Sequence, residues 1–212
     1  MRRLRSQPSG GNRNERGVAL VEMAIVAPLL ILIAVGIVEF GMMWRDSLTV
    51  SSATRASARV ASNLGESHLA DYEALLSLDA ALESSGGLTI QGVLIYDASA
   101  ADGQPHSSCF DLDGDPRDSV GWCNHYSAAD LVTVRTLDCS TACPSHFPDS
   151  TTCAGGWTVH FCPDLHRSSS QGTGLSQVGV WVSVQRDYFT GMMPGDGVEI
   201  DDATVMNVEP RG

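Results

Sequence analysis

The sequence contains no H-E-x-x-H, no G-x-S-x-G and no phosphate-binding P-loop, and its six histidines follow no spacing that names a mechanism. An enzyme is therefore not expected. No internal repeat is present, which sets aside solenoids and arrays. Lysine is absent: all 13 basic residues are arginine, set against 25 acids for a net charge of −12. The missing lysine supports no functional reading, but the distribution of charge does. Residues 1–17 hold five Arg and one Glu, leaving eight Arg against 24 acids in the remainder. An acidic remainder of that size repels nucleic-acid phosphates, so no nucleic-acid partner is expected. Charge is also missing from Met23 to Val38, sixteen consecutive positions, which excludes a simple soluble domain.

That uncharged stretch sits in a longer apolar run. A helix from Val18 to Trp44 rises roughly 40 Å, enough to cross a hydrocarbon layer of about 30 Å with some tilt. Pro28 removes one backbone bond from it, which membrane helices tolerate. Glu22 and Glu39 bracket the core about 26 Å apart along the axis, one near each interface. On that ground alone, Glu22 is an interfacial charge favoured by the helix N-terminus. The leader MRRLRSQPSGGNRNERG has no apolar periodicity and is expected to be disordered and cytoplasmic by the positive-inside rule, which places the rest outside. The apolar run is longer than the core of a signal peptide, and no small-x-small cleavage site follows it cleanly.

Arg16-Gly17-Val18-Ala19-Leu20-Val21-Glu22-Met23-Ala24, Pro28-Leu29-Leu30, Gly36-Ile37-Val38-Glu39-Phe40-Gly41 and Ala53-Thr54-Arg55-Ala56-Ser57-Ala58-Arg59 follow one another in order. Together they resemble the TadE/TadG-like minor pilins, or pseudopilins, of the tight-adherence (Flp) type IV pilus system. The resemblance covers about the first 60 residues strongly; the alternating Val178, Val180, Val182 and Val184 are similar to the family's terminal strands. It implies a type IV pilin-like fold and cleavage after Gly17 by a prepilin peptidase on the cytoplasmic side. The mature chain would begin at Val18 and keep 195 of the 212 residues, with Glu22 fifth. Met23 stands where family members often have an aromatic residue. The implied partners are the prepilin peptidase, other Flp/Tad pilins and the inner-membrane assembly platform, with the head outside the membrane or on cell-surface pili.

The chemistry of such a site follows from its charges. Cleavage leaves a cationic α-amine beside a low-dielectric region in which a carboxylate is costly, so each charge needs a partner. If Glu22 of one subunit meets the amine of another, both costs fall and the axial register is set. The family implies that docking role for Glu22.

Past the membrane the helical pattern continues to about Asn63, with Val50, Ala53, Val60 and Leu64 recurring and Arg55 and Arg59 sharing another face. A second helix is expected from His68 to about Glu83, with Ser67 as its cap and Gly86-Gly87 as its stop. Strand signals follow at Leu88–Tyr96, Leu131–Leu137, Val178–Tyr188 and Val198–Val208. The expected fold is α+β: a long N-terminal transmembrane helix continuing into a small disulfide-bonded head with a mostly antiparallel sheet. Its segments are a basic leader (1–17), a transmembrane helix (18–44), an extracytoplasmic continuation (45–64) and a head (65–212) with a Cys-rich loop region (97–177).

Six cysteines, Cys109, Cys123, Cys139, Cys143, Cys153 and Cys162, cluster in that region and read as disulfides in an oxidising compartment. Sequence cannot choose among the fifteen pairings six cysteines allow; Cys109 with Cys123 is a local guess. Zinc is the rival reading, given nearby histidines, but the spacings form no paired knuckles. Asp111, Asp113 and Asp115 set oxygen ligands on one turn, as Ca²⁺ requires, without EF-hand spacing; the plain alternative is an acidic surface turn. No other cofactor is expected. The functional expectation is a minor pilin or pseudopilin with adhesion as a further role. The alternative is a single-pass, membrane-anchored binding module that is not polymerised.

Overall fold

The computed structural model describes residues 13–83, 85–100, 102–110, 122–139, 143, 145–149, 155–170, 174–189, 195 and 197–210, with side chains described from residue 17 onward. The chain divides into two units, Met1–Met42 and Met43–Gly212. Helix α1 (Arg13–Leu64) contributes to both. In the first unit its large apolar side chains are mostly exposed, Leu20 and Ile25 at 71% and Leu32 at 64%, whereas the Glu39 side chain is buried. Pro28 lies inside the helix without ending it. The helix begins at Arg13, inside the segment whose composition pointed to disorder; Asn14, Glu15 and Arg16 carry it back from the apolar run at little propensity cost. Gly17–Leu64 is long and apolar enough to cross a membrane, and none of its most apolar stretch is buried.

The second unit is an α+β head. Its strands β1 (Leu88–Asp97), β2 (Cys123–Ser127), β3 (Gln177–Arg186) and β4 (Val198–Asn207) form one antiparallel sheet in the order β2-β1-β3-β4. Alternation along the strands divides the side chains between two faces. Val178, Val180, Val182 and Val184 of β3 and Val93 and Ile95 of β1 point into the main core. Against them pack Val50, Ala53, Ala58 and Ala61 of α1 and Leu75, Leu78 and Leu82 of α2 (Ala70–Glu83). Small residues on α1 let the helices approach closely enough for Ser57 Oγ to donate to the Ala74 carbonyl at 2.8 Å. Ser62 then ties α1 to the end of the sheet, donating to the Asn207 carbonyl and accepting from the Glu209 N–H.

On the other face, Leu94, Tyr96, Ala98, Cys109 and Cys123 form a smaller cluster with Trp181 packed on it. The Tyr96 ring lies over Gly179, its cross-strand partner, where any Cβ would overlap the ring. The Tyr96 hydroxyl donates to the Gly103 carbonyl at 2.9 Å. Burial, with a smaller contribution from Asp102, pushes that phenol up to about 12.

Two local expectations are corrected. Leu131-Val132-Thr133-Val134 lies in a helix, α3 (Ala128–Val134), and not in a strand. Ser127 caps α3 by accepting from the Asp130 N–H, while the Asp130 carboxylate accepts from the Ser127 N–H. This capping box outweighs the β-propensity of a β-branched run. The strand missing from the sequence reading is β2, CNHYS, short and mostly polar. The second helix also starts two residues late, at Ala70, after a turn in which the Ala70 N–H donates to the Ser67 carbonyl. Gly86 and Gly87, at φ 47° and 92°, end that passage into β1.

Candidate assembly site

The residues singled out for processing and docking lie on the exposed part of α1. Gly17, Val18 and Glu22 are all exposed. A Cβ built on Gly17 meets nothing within 4 Å, so the backbone there stands clear of other described groups. Val18 and Glu22 are four residues apart on one helix face, about 6 Å along the axis. No described side chain is paired with the Glu22 carboxylate. An α-amine at Val18 would therefore lie on the same face as this carboxylate, within reach of it in the same chain or in a neighbour.

Residues 17–59 match the family model described as TadE-like protein. The TadE-like segment starts at the predicted cleavage glycine and ends within the part of α1 that packs on the head. The match covers 43 of the 212 residues. No curated protein and no solved structure matches the chain. The head beyond the TadE-like segment is therefore read from its own geometry.

In the head, Cys109 bonds to Cys123 and Cys139 to Cys143. Cys162 is disulfide-bonded as well, and Cys153 lies outside the described residues. The first bond fastens the 3-10 turn Ser107–Phe110 to the start of β2, on the second face of the sheet. Bonded sulfurs are not thiolate ligands, which overturns the zinc reading for these five cysteines. Among the described residues no three or more His, Cys, Asp or Glu side chains are grouped to hold a metal ion. Asp111, Asp113 and Asp115 lie outside the described residues.

A polar centre inside the head escaped sequence reading. Asp71 of α2 and Arg167 are both fully buried and paired at 2.5 Å. The Asp71 carboxylate also accepts from the Asn124 amide at 2.7 Å and the Tyr126 hydroxyl at 2.8 Å, both on β2. Asn124 pairs in both directions with the backbone of Phe161, and the Arg167 guanidinium lies 4.6 Å from the centre of the Phe161 ring. Burial, followed by the charge of Asp71, holds the Tyr126 phenol well above its usual range. This arrangement joins α2, the edge strand β2 and the segment around Arg167 through shared hydrogen bonds, so it is a structural clasp, although the buried Nε and Nη1 of Arg167 have no hydrogen-bond partner among the described residues. A buried ion pair costs desolvation, and the added hydrogen bonds to the Asp71 carboxylate offset part of that cost.

Proposed function

We propose that this protein is a minor pilin or pseudopilin of a tight-adherence (Flp-type) pilus. The observation supporting the reading most strongly is the TadE-like segment, which opens on Gly17 and places Glu22 on the same helix face as Val18. In this reading a prepilin peptidase hydrolyses the Gly17–Val18 peptide bond from the cytoplasmic side. Water supplies the hydroxyl of the new Gly17 carboxylate and a proton to the new Val18 amine. The amine, cationic near neutral pH, then pairs with the Glu22 carboxylate of a neighbouring subunit. That pairing relieves both charges at the membrane edge and sets the register between helices.

The Arg-rich leader and the disulfides support an inner-membrane location with the N-terminus cytoplasmic and the head in an oxidising compartment. The partners are other Flp/Tad pilins and the assembly platform, and the separately built head gives the protein an adhesive role. Ca²⁺ at Asp111, Asp113 and Asp115 is tested by melting after chelation: a rise on adding Ca²⁺ supports it, and no change removes it. Because the TadE-like match stops at residue 59, a membrane-tethered binding module is the second reading. Recovery in sheared pili separates the two. The proposal expects the wild-type protein in the sheared fraction and Glu22→Ala retained in the membrane with reduced incorporation. Equal incorporation of both proteins would reduce Glu22 to an interfacial charge.

A further inference from the structure

The arginines of the head are divided between two uses. Arg135 is paired with Asp79 at 2.5 Å, Arg167 with Asp71 at 2.5 Å and Arg186 with Asp46 at 2.9 Å. Arg45, Arg55 and Arg59, by contrast, form no ion pair among the described residues. All three are exposed, and with Leu48, Ser52 and Asn63 they fall at steps of three or four along α1. They form one basic stripe on the outer face of a helix whose opposite face is buried. Arg55 stands near Asp202, but that carboxylate faces α1 from the core side of β4.

The opposite side of the head has the complementary charge. Glu199 and Asp201 are exposed on β4, the edge strand opposite β2, and alternate with the inward Ile200 and Asp202. Glu199 accepts from Ser183, on the sheet face that α1 does not cover. Neighbouring side chains on one strand face are about 7 Å apart, and Arg55 and Arg59 are about 6 Å apart along the helix axis. The two spacings match closely enough for two arginines of one head to meet two acids of another.

We infer that the Arg45–Arg55–Arg59 stripe of α1 docks on the Glu199–Asp201 face of a second copy of this chain. The contact joins unlike faces, helix side to sheet side, so it repeats from copy to copy and does not close as a dimer. Each exposed ion pair is weak, and the contact depends on the high local concentration of copies held in one membrane. It requires only that two heads lie side by side, and so does not depend on cleavage at Gly17.

The test uses donor- and acceptor-labelled full-length chains reconstituted together in vesicles of zwitterionic phosphatidylcholine, with energy transfer read against salt. The expected result is salt-sensitive transfer that falls about threefold to tenfold in Arg55→Glu/Arg59→Glu and in Glu199→Arg/Asp201→Arg, each alone. Mixing the two variants is expected to restore it, which also shows that both heads are folded. Three results would overturn the inference: no transfer, transfer indifferent to both reversals, or transfer lost in both and not regained on mixing. Salt-sensitive binding of the stripe to anionic vesicles, with transfer between copies unchanged by Arg55→Glu/Arg59→Glu, would instead assign the stripe to lipid headgroups and likewise overturn it.

Discussion

The two units of this chain solve opposite problems. From Val18 to Phe40, α1 leaves Val18, Leu20, Ile25, Leu32 and Phe40 between 59% and 71% exposed. The head instead buries Val93, Ile95, Val180 and Val182 completely and pairs its innermost charges with each other. Each unit therefore gets its stability from a different source. The head draws on its own contacts, whereas the apolar helix needs lipid or other helices to cover it. Changes in the head should therefore be felt in its folding, and changes on the exposed helix should be felt in membrane retention and assembly.

The largest test of that contrast is Asp71→Ala, which leaves Arg167 buried without its partner. We expect a loss of about 3 to 5 kcal/mol in head stability, read by denaturant unfolding of the full chain in detergent through its tryptophan signals. Membrane retention should not change, and if it did the two units would not be independent. Next comes removal of the Cys109–Cys123 bond by a double Ser substitution. Its 14-residue separation gives an expected loss of about 3 kcal/mol by the chain-entropy argument. Reductant should lower wild-type stability by at least as much, because it also opens Cys139–Cys143 and the bond at Cys162.

Gly179→Ala should cost about 1 to 3 kcal/mol, because its methyl group must displace the Tyr96 ring. The Tyr96 ionisation near 12 should then move toward that of an ordinary phenol as the ring is pushed out, visible in alkaline ultraviolet titration. The smallest effect concerns pH. Burial holds His125 below the ordinary 6.5, partly offset by Asp130. His166 is lowered by burial and then by Arg167, with Asp97 opposing. Both histidines take up protons more readily when unfolded, so their contribution is present above pH 6.5 and is lost as pH falls through the folded values. Melting temperature should decline below pH 6.5 by less in His125→Gln than in wild type.

Much of this architecture was legible because its signals are local. The apolar run, the recurring Val50, Ala53 and Leu64, and the alternating valines of β3 each declare a period within a few residues. What stayed hidden depends on partners distant in sequence or on competing local chemistry. Arg167 lies 96 residues from Asp71, and nothing near either residue announces the pair. The polar strand Cys123–Ser127 reads as a loop until Asp71 and Phe161 are there to satisfy Asn124 and Tyr126. Leu131 to Val134 reads as strand until the reciprocal bonds of Ser127 and Asp130 are considered. Gly17 and Glu22 belong to the first class, a linear motif on one helix, whereas the Glu199–Asp201 face becomes meaningful only once the sheet puts β4 on the outside.

In the proposed function, a cut after Gly17 makes α1 ready for its neighbours. Mass spectrometry of the N-terminus of protein extracted from membranes of cells with an active prepilin peptidase tests it most directly. The predicted chain begins at Val18 and contains 195 of the 212 residues. An intact leader beginning at Met1 in those cells would contradict it.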